Sequence, residues 1–255
     1  MSTRLQGARA AITGASAGIG AATAAELAAR GCALVLGARR TERLEAMRSG
    51  ILAAHPQAQV DLLPLDVTNP ASCAAFAAAA GPIDVLVNSA GLARGTDKVA
   101  EGSEADWREM IETNVMGLLR VTRLLLPGMI ERRRGTVINL GSVAGLEPYP
   151  GGAVYGATKS AVRTITKALR HELLGTGVRV CNVEPGAVHT EFSEVRFRGD
   201  EARAARVYQG FSPLTAEDVA EVIGFLASRP PHVDIEELVI YPTAQASTTA
   251  FHREG

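Results

Sequence analysis

Seven short apolar runs, each the length of a β-strand, alternate with alanine-rich segments long enough to be helices, and this rhythm limits the folds open to the chain more than any other feature. The runs are ARAAIT (8–13), CALVLGA (32–38), AQVDLLPL (58–65), IDVLV (83–87), TVINL (136–140), VRVCNVE (178–184) and IEELVIYP (235–242). Helices are predicted between and after them at 18–30, 40–54, 69–80, 104–131 (with Pro127 near its end), 153–174, 199–210 and 215–228. The runs show little polar alternation, so both faces of each strand should be covered, as in a parallel sheet. Repeated strand–helix–strand units of about 30 residues give an α/β fold with a doubly wound sheet. At 255 residues, 47% of them hydrophobic, the chain suits one domain, residues 1–255, with no linker. The tail after Pro242 is polar and is expected to be partly mobile.

Charge and composition exclude several classes. With 26 basic and 27 acidic residues and no long run of one sign, the chain shows no nucleic-acid footprint. Cys32, Cys73 and Cys181 lack CxxC spacing and read as buried thiols rather than disulfides or metal ligands. The five histidines form no cluster, and no metal is expected. No stretch has signal-peptide or membrane-span length, so the expectation is a cytoplasmic protein without membrane contact.

TGASAGIG (13–20) joins the first strand to the first helix. Gly14, Gly18 and Gly20 let the backbone turn sharply and approach a ligand, and the helix N-terminus beyond them favours a pyrophosphate. A bare tight turn would use the same glycines. Ser16, Ala17 and Ile19 complete the loop. After the second strand the chain reads GARRTERL, with Arg39 and Arg40 where an NAD site would carry a carboxylate. Two guanidinium groups suit a ribose 2′-phosphate, hence NADP(H), with Ser16 as a further donor. Alternatively, both arginines are the solvated start of a helix, paired with Glu42 or Glu45. Asp66 and Val67 end the third strand, where they could meet adenine, and Asn88, Ala90 and Gly91 end the fourth.

YGATK (155–159) places Tyr155 and Lys159 one turn apart on one helix face. An ordinary amphipathic helix would also carry such a pair. TGASAGIG, NSAG (88–91), Asn114 in ETNVMG, Ser142, YGATK and EPG (184–186) nevertheless occur together in the order of the short-chain dehydrogenase/reductase family. The resemblance covers essentially the whole chain. LPGMIER, PYPGGAVYGATK, EPGAVHTEFSEVRFRGD and LTAEDVAE narrow it toward the NADP-dependent 3-hydroxy acid (serine) dehydrogenases.

The resemblance implies a Rossmann-type, seven-stranded sheet and a homotetramer. It also implies Tyr155 as general acid/base, its pKa lowered by the Lys159 cation, with Lys159 also bonding the nicotinamide ribose. Ser142 would bond the substrate oxygen, and Asn114 would anchor a water leading to solvent. Pro185, Gly186, Val188 and Thr190 would flank the nicotinamide. Where the family usually has two asparagines before Ala-Gly, this chain has Asn88 and then Ser89. Residues 187–212 are expected to form a substrate lid. In that lid, Arg196 is the candidate for binding a substrate carboxylate, with Arg198 nearby. Both arginines would otherwise pair with Glu194 and Asp200 at the surface. The expected reaction interconverts a small 3-hydroxy acid (serine, 3-hydroxypropionate or 3-hydroxyisobutyrate type) and its semialdehyde or ketone. Alternatives are reduction of sulfoacetaldehyde or of an uncharged carbonyl compound, and, from another class, a non-catalytic NADPH-sensing regulator.

Overall fold

Alternate residues of each apolar run go to opposite faces of one sheet, so every strand feeds two separate apolar layers. The computed structural model of the chain describes residues 3–254. Its strands are β1 (Arg9–Thr13), β2 (Ala33–Ala38), β3 (Val60–Pro64), β4 (Val85–Asn88), β5 (Gly135–Leu140), β6 (Val178–Pro185) and β7 (Glu237–Ile240). All pair in parallel in the order β3-β2-β1-β4-β5-β6-β7. The helices are α1 (Gly18–Ala29), α2 (Thr41–Ala54), α3 (Pro70–Ala80), α4 (Glu104–Ile111), α5 (Leu118–Glu131), α6 (Ala153–Glu172), α7 (Phe192–Arg196), α8 (Glu201–Val207) and α9 (Ala216–Ala227). One layer packs Ile12, Leu34, Leu36, Val87 and Ile138 against Leu27 of α1 and Ile223 of α9. The other packs Ala11, Val35, Leu86, Val137 and Val180 against Phe76 of α3 and Val121, Leu125 and Met129 of α5. The strand order reverses between β1 and β4, which opens a crevice at the carboxyl ends of the strands.

The second layer changes character at that end. Thr13, Asn88, Asn139, Asn182 and Glu237 stand in register across five strands. Asn88 Nδ2 donates to Thr122 Oγ1 of α5 and to Asn139 Oδ1, each at 2.9 Å, and Asn139 Nδ2 donates to Thr166 Oγ1 of α6 at 2.9 Å. Through these amide N–H bonds the row locks α5 and α6 onto the sheet.

Three features differ from the sequence reading. The helical stretch 104–131 is continuous but contains a π-helical segment, Glu112–Gly117, between α4 and α5. The segment 187–212 contains α7 as well as α8, and α7 is too short for periodicity to reveal it. The tail packs back on the molecule: Gln245 Oε1 accepts from Ala187 N at 2.8 Å, and His252 N donates to Ala244 O. The three cysteines are buried and free. Among the described residues there is no metal-binding cluster and no helix long and apolar enough to cross a membrane.

Candidate active site

The loops leaving β1, β2, β4, β5 and β6 meet in one cleft of about 580 Å³. Gly14 adopts φ +67°, and a Cβ there would come within 2.8 Å of Ala90 Cα, so only glycine lets these two loops close up. Behind them, Thr13 Oγ1 accepts from Ser89 N and Ala90 N. The N-terminus of α1 faces this floor. At one end of the cleft lie Arg39, Arg40 and Ser16. Arg40 donates to Ser16 Oγ from Nε and Nη2 at 3.4 and 3.3 Å. Arg40 also pairs with Glu191 at 3.0 Å, and Arg43 holds the other Glu191 oxygen. Arg40 therefore pairs with Glu191 and not with Glu42 or Glu45. The Asp66 carboxyl is raised by its burial, but hydrogen bonds from Thr68 and the nearby Arg39 more than offset this and hold it below its usual range.

At the other end, Ser142, Tyr155 and Lys159 converge. The 3-10 turn Val143–Gly145 follows Ser142, whose Oγ accepts from Ala144 N. The Ser142 hydroxyl lies by the Tyr155 phenol and opposes the rise that burial causes there. Lys159 Nζ donates to Leu140 O at 2.6 Å and lies 5.9 Å from the centre of the Tyr155 ring. Residues of the segment 187–212 cover this end. Phe192 packs on Tyr155 with ring centres 5.5 Å apart, and Tyr208 donates to Val188 O at 2.9 Å. Arg196 Nε donates to Gly95 O at 2.8 Å, and its guanidinium carbon lies 5.7 Å from the centre of the Tyr149 ring. The two terminal nitrogens of Arg196 have no partner among the described residues. Arg198 points away to Asp106 at the surface. Neither arginine pairs with Glu194 or Asp200.

Known proteins match this chain over nearly its whole length. The family model described as short chain dehydrogenase matches residues 8–201. A sulfoacetaldehyde reductase of Chromohalobacter salexigens is 44% identical over 240 residues, covering 92% of this chain and 94% of that protein. An NADP-dependent 3-hydroxy acid dehydrogenase of Schizosaccharomyces pombe is 42% identical, covering 99% of each chain. Among solved structures, the closed form of a serine dehydrogenase complexed with NADP+ superposes with a TM-score of 0.90 at 41% identity, covering 96% of this chain and 100% of that one.

The chain belongs to the short-chain dehydrogenase family. It is an oxidoreductase that uses a nicotinamide dinucleotide.

Most of the residues singled out in the sequence line the cleft of this short-chain dehydrogenase, including Gly18, Ile19, Val67, Gly91, Gly186 and Thr190. Three do not. Gly20 lies beneath the loop, where a Cβ would come within 2.5 Å of Gly14 O, so it packs the turn rather than facing a ligand. Asn88 belongs to the polar row behind the cleft. Asn114 also lies behind it. Its Oδ1 accepts from Leu92 N at 2.9 Å, and its Nδ2 donates to Leu92 O and Thr158 Oγ1. Its amide protons are thus fully used, one on the loop after β4 and one on α6, and a lone pair of Oδ1 is left for a water.

The electrostatics also differ from expectation. Burial raises the Tyr155 phenol well above its ordinary value, with the Ser142 hydroxyl and then Arg196 pulling it back. The expected lowering by Lys159 is not what governs this group, because desolvation of the phenolate is the larger effect. Lys159 itself is brought down to about 8 by burial, partly opposed by Glu184. Glu191, Phe192, Tyr149 and the tail residues Phe251 and Arg253 also line the cleft. Sequence spacing could not reveal them, since each reaches the cleft through long-range packing.

Proposed function

We propose that this enzyme uses NADP(H) to interconvert a small 3-hydroxy acid and the corresponding semialdehyde or ketone. The observation that carries the substrate reading is Arg196: two unengaged guanidinium nitrogens sit in the same closed end of the cleft as Ser142 and Tyr155. A carboxylate there would gain charge-assisted hydrogen bonds. The relatives named for 3-hydroxy acids and serine support the same class.

The residues present fit the cofactor. The loop residues Ser16 to Ile19 line the cleft at the start of α1, where a pyrophosphate would sit, and Arg39, Arg40 and Ser16 suit a 2′-phosphate. When bound, the cofactor supplies or accepts the hydride at its nicotinamide. Ser142 positions the substrate oxygen, and Tyr155 gives or takes the proton on that oxygen. Lys159 keeps a positive charge beside the phenol and holds ribose hydroxyls, while Phe192 and the lid exclude water. Pro185, Gly186, Val188 and Thr190 shape the wall on the nicotinamide side. The expected assembly is a homotetramer, in keeping with the exposed Ile111, Met116 and Leu124 along the α4–α5 segment.

A sulfonate would satisfy Arg196 as well, and a relative is named a sulfoacetaldehyde reductase. The deciding experiment is a panel of aldehydes and hydroxy acids, run with NADPH and NADH side by side. Turnover of 3-carbon and branched 3-hydroxy acids is expected. A preference for sulfoacetaldehyde or neutral ketones would replace that substrate class, and cofactor binding without turnover would favour a sensor.

A further inference from the structure

Lys159 carries an unresolved electrostatic burden. Its ammonium is buried and donates to the neutral Leu140 carbonyl. Burial of an unpaired cation favours loss of its proton. Among the described residues, the charge that opposes this loss is Glu184.

Glu184 is fully buried on β6. Leu140 pairs with Val183, so Glu184 stands one residue beyond the carbonyl that Lys159 uses. It shares a sheet face with Asn182 and thus with the row that Thr166 of α6 covers. Its Oε1 accepts from Asn182 Nδ2 at 2.6 Å and lies 3.7 Å from Arg163 Nε. Arg163, however, is claimed by Glu237, with contacts of 2.6 and 3.0 Å. Glu184 Oε2 and Asn182 Oδ1 are both buried with no hydrogen-bond partner. Strand pairing asks for no carboxylate here, and the same face is apolar at Val180, Val137 and Leu86. A buried acid with one oxygen unpaired is costly and calls for a reason.

We propose that Glu184 is the buried counter-ion of Lys159, a positioning residue that keeps the ammonium charged and seated at the end of β5 beside Tyr155. The place of Lys159 in the chemistry rests on the function proposed above; its pairing with Glu184 does not. The groups facing this pair are Arg163 and Tyr155 on α6, Asn182 on β6, Glu237 on β7 and Tyr241 just beyond it. Burial, then Glu237, pushes the Glu184 carboxyl up to about 7, while Arg163 and Lys159 pull it back.

The chain has three lysines, Lys98, Lys159 and Lys167, so carbon-13 lysine labelling gives a simple NMR spectrum in which Lys159→Arg assigns the Lys159 Cε signal. In the wild type this signal is expected to move in two steps, one from Glu184 and one from Lys159 itself. In Glu184→Gln the lower step should vanish and the remaining midpoint should fall by about one unit or more. The loss of kcat/KM at high pH should move down by the same amount, so that the variant is about tenfold impaired above the shifted midpoint and recovers below it. A Lys159 midpoint unchanged in Glu184→Gln overturns the proposal. So does a single-step titration in the wild type, which decides the matter even if the variant does not fold. An inactive protein with the coupled titration would instead refute the proposed reaction and leave the ion pair standing.

Discussion

The Arg196 guanidinium carbon lies 6.0 Å from the centre of the Tyr155 ring. It pulls the raised phenol back toward its ordinary range, and its terminal nitrogens stay available. Arg196→Met keeps the apolar stem and removes the charge. The loss in kcat/KM for an acidic substrate should be about 2–3 kcal/mol, or roughly 30- to 150-fold. An uncharged aldehyde of similar size should lose much less, namely the part owed to tuning of Tyr155. Equal losses on both substrates would show that Arg196 only shapes the lid.

Tyr155→Phe should abolish turnover while NADPH still binds. The ring packs against Phe192 in either case, and only the hydroxyl is lost. General acid–base catalysis contributes about 100-fold or more, so retention of more than about a tenth of wild-type kcat would mean that another group supplies the proton. Fluorescence titration with NADPH checks that binding survives.

The fold was legible because its strands are continuous apolar runs flanked by glycine and proline, and burial on both faces leaves that trace in any parallel sheet. The site was legible where chemistry repeats at short spacing: Gly14 to Gly20, and Tyr155 to Lys159. What stayed hidden was long-range. Glu191 reaches Arg40 across 151 residues of sequence, and Gln245 reaches back to Ala187 across 58. Glu184 read only as part of EPG, because its meaning depends on which helix lies over β6. Spacing likewise reports the Lys159 cation one turn from Tyr155 but not the burial that raises the phenol.

The strand-two arginines predict cofactor choice. The wild type should prefer NADPH to NADH by about 100-fold or more in kcat/KM, the scale of losing a phosphate–guanidinium contact worth a few kcal/mol. Arg39 is exposed at the cleft edge, so Arg39→Ala should raise KM for NADPH and leave NADH turnover nearly unchanged. Comparable use of both cofactors by the wild type would contradict the assignment.

Stability should fall as pH rises from about 5 to 7. The folded-state value of Glu184 is raised from 4.5 to about 7. In that window the folded protein holds a proton that the unfolded chain has released, so raising the pH favours unfolding. The carboxyls of Asp66, Glu109, Glu191 and Glu237 are lowered instead, so their contribution is lost only as pH falls below the ordinary carboxylate range. Urea midpoints measured across pH 5–7 should therefore decline in the wild type, and Glu184→Gln should flatten that slope. A slope that persists unchanged in the variant would assign it to another group.

Glu191 predicts a link between the cofactor and the lid. Its carboxylate, just ahead of α7, bridges Arg40 and Arg43 on the far side of the cleft. A 2′-phosphate on Arg40 must share that guanidinium with Glu191, and two anions on one cation repel. All three side chains are about two-fifths exposed, so the competition is screened and should be worth about 1 kcal/mol or less. Glu191→Gln should accordingly bind NADPH up to about fivefold more tightly, with little change in NADH affinity or in thermal stability. The gain should shrink as salt is added, because screening already weakens the competing carboxylate. The same variant frees the lid from its anchor on α2, so KM for the carbonyl substrate should rise while NADPH affinity improves. Weaker NADPH binding in Glu191→Gln would mean that the carboxylate orients Arg40 for the phosphate instead of competing with it.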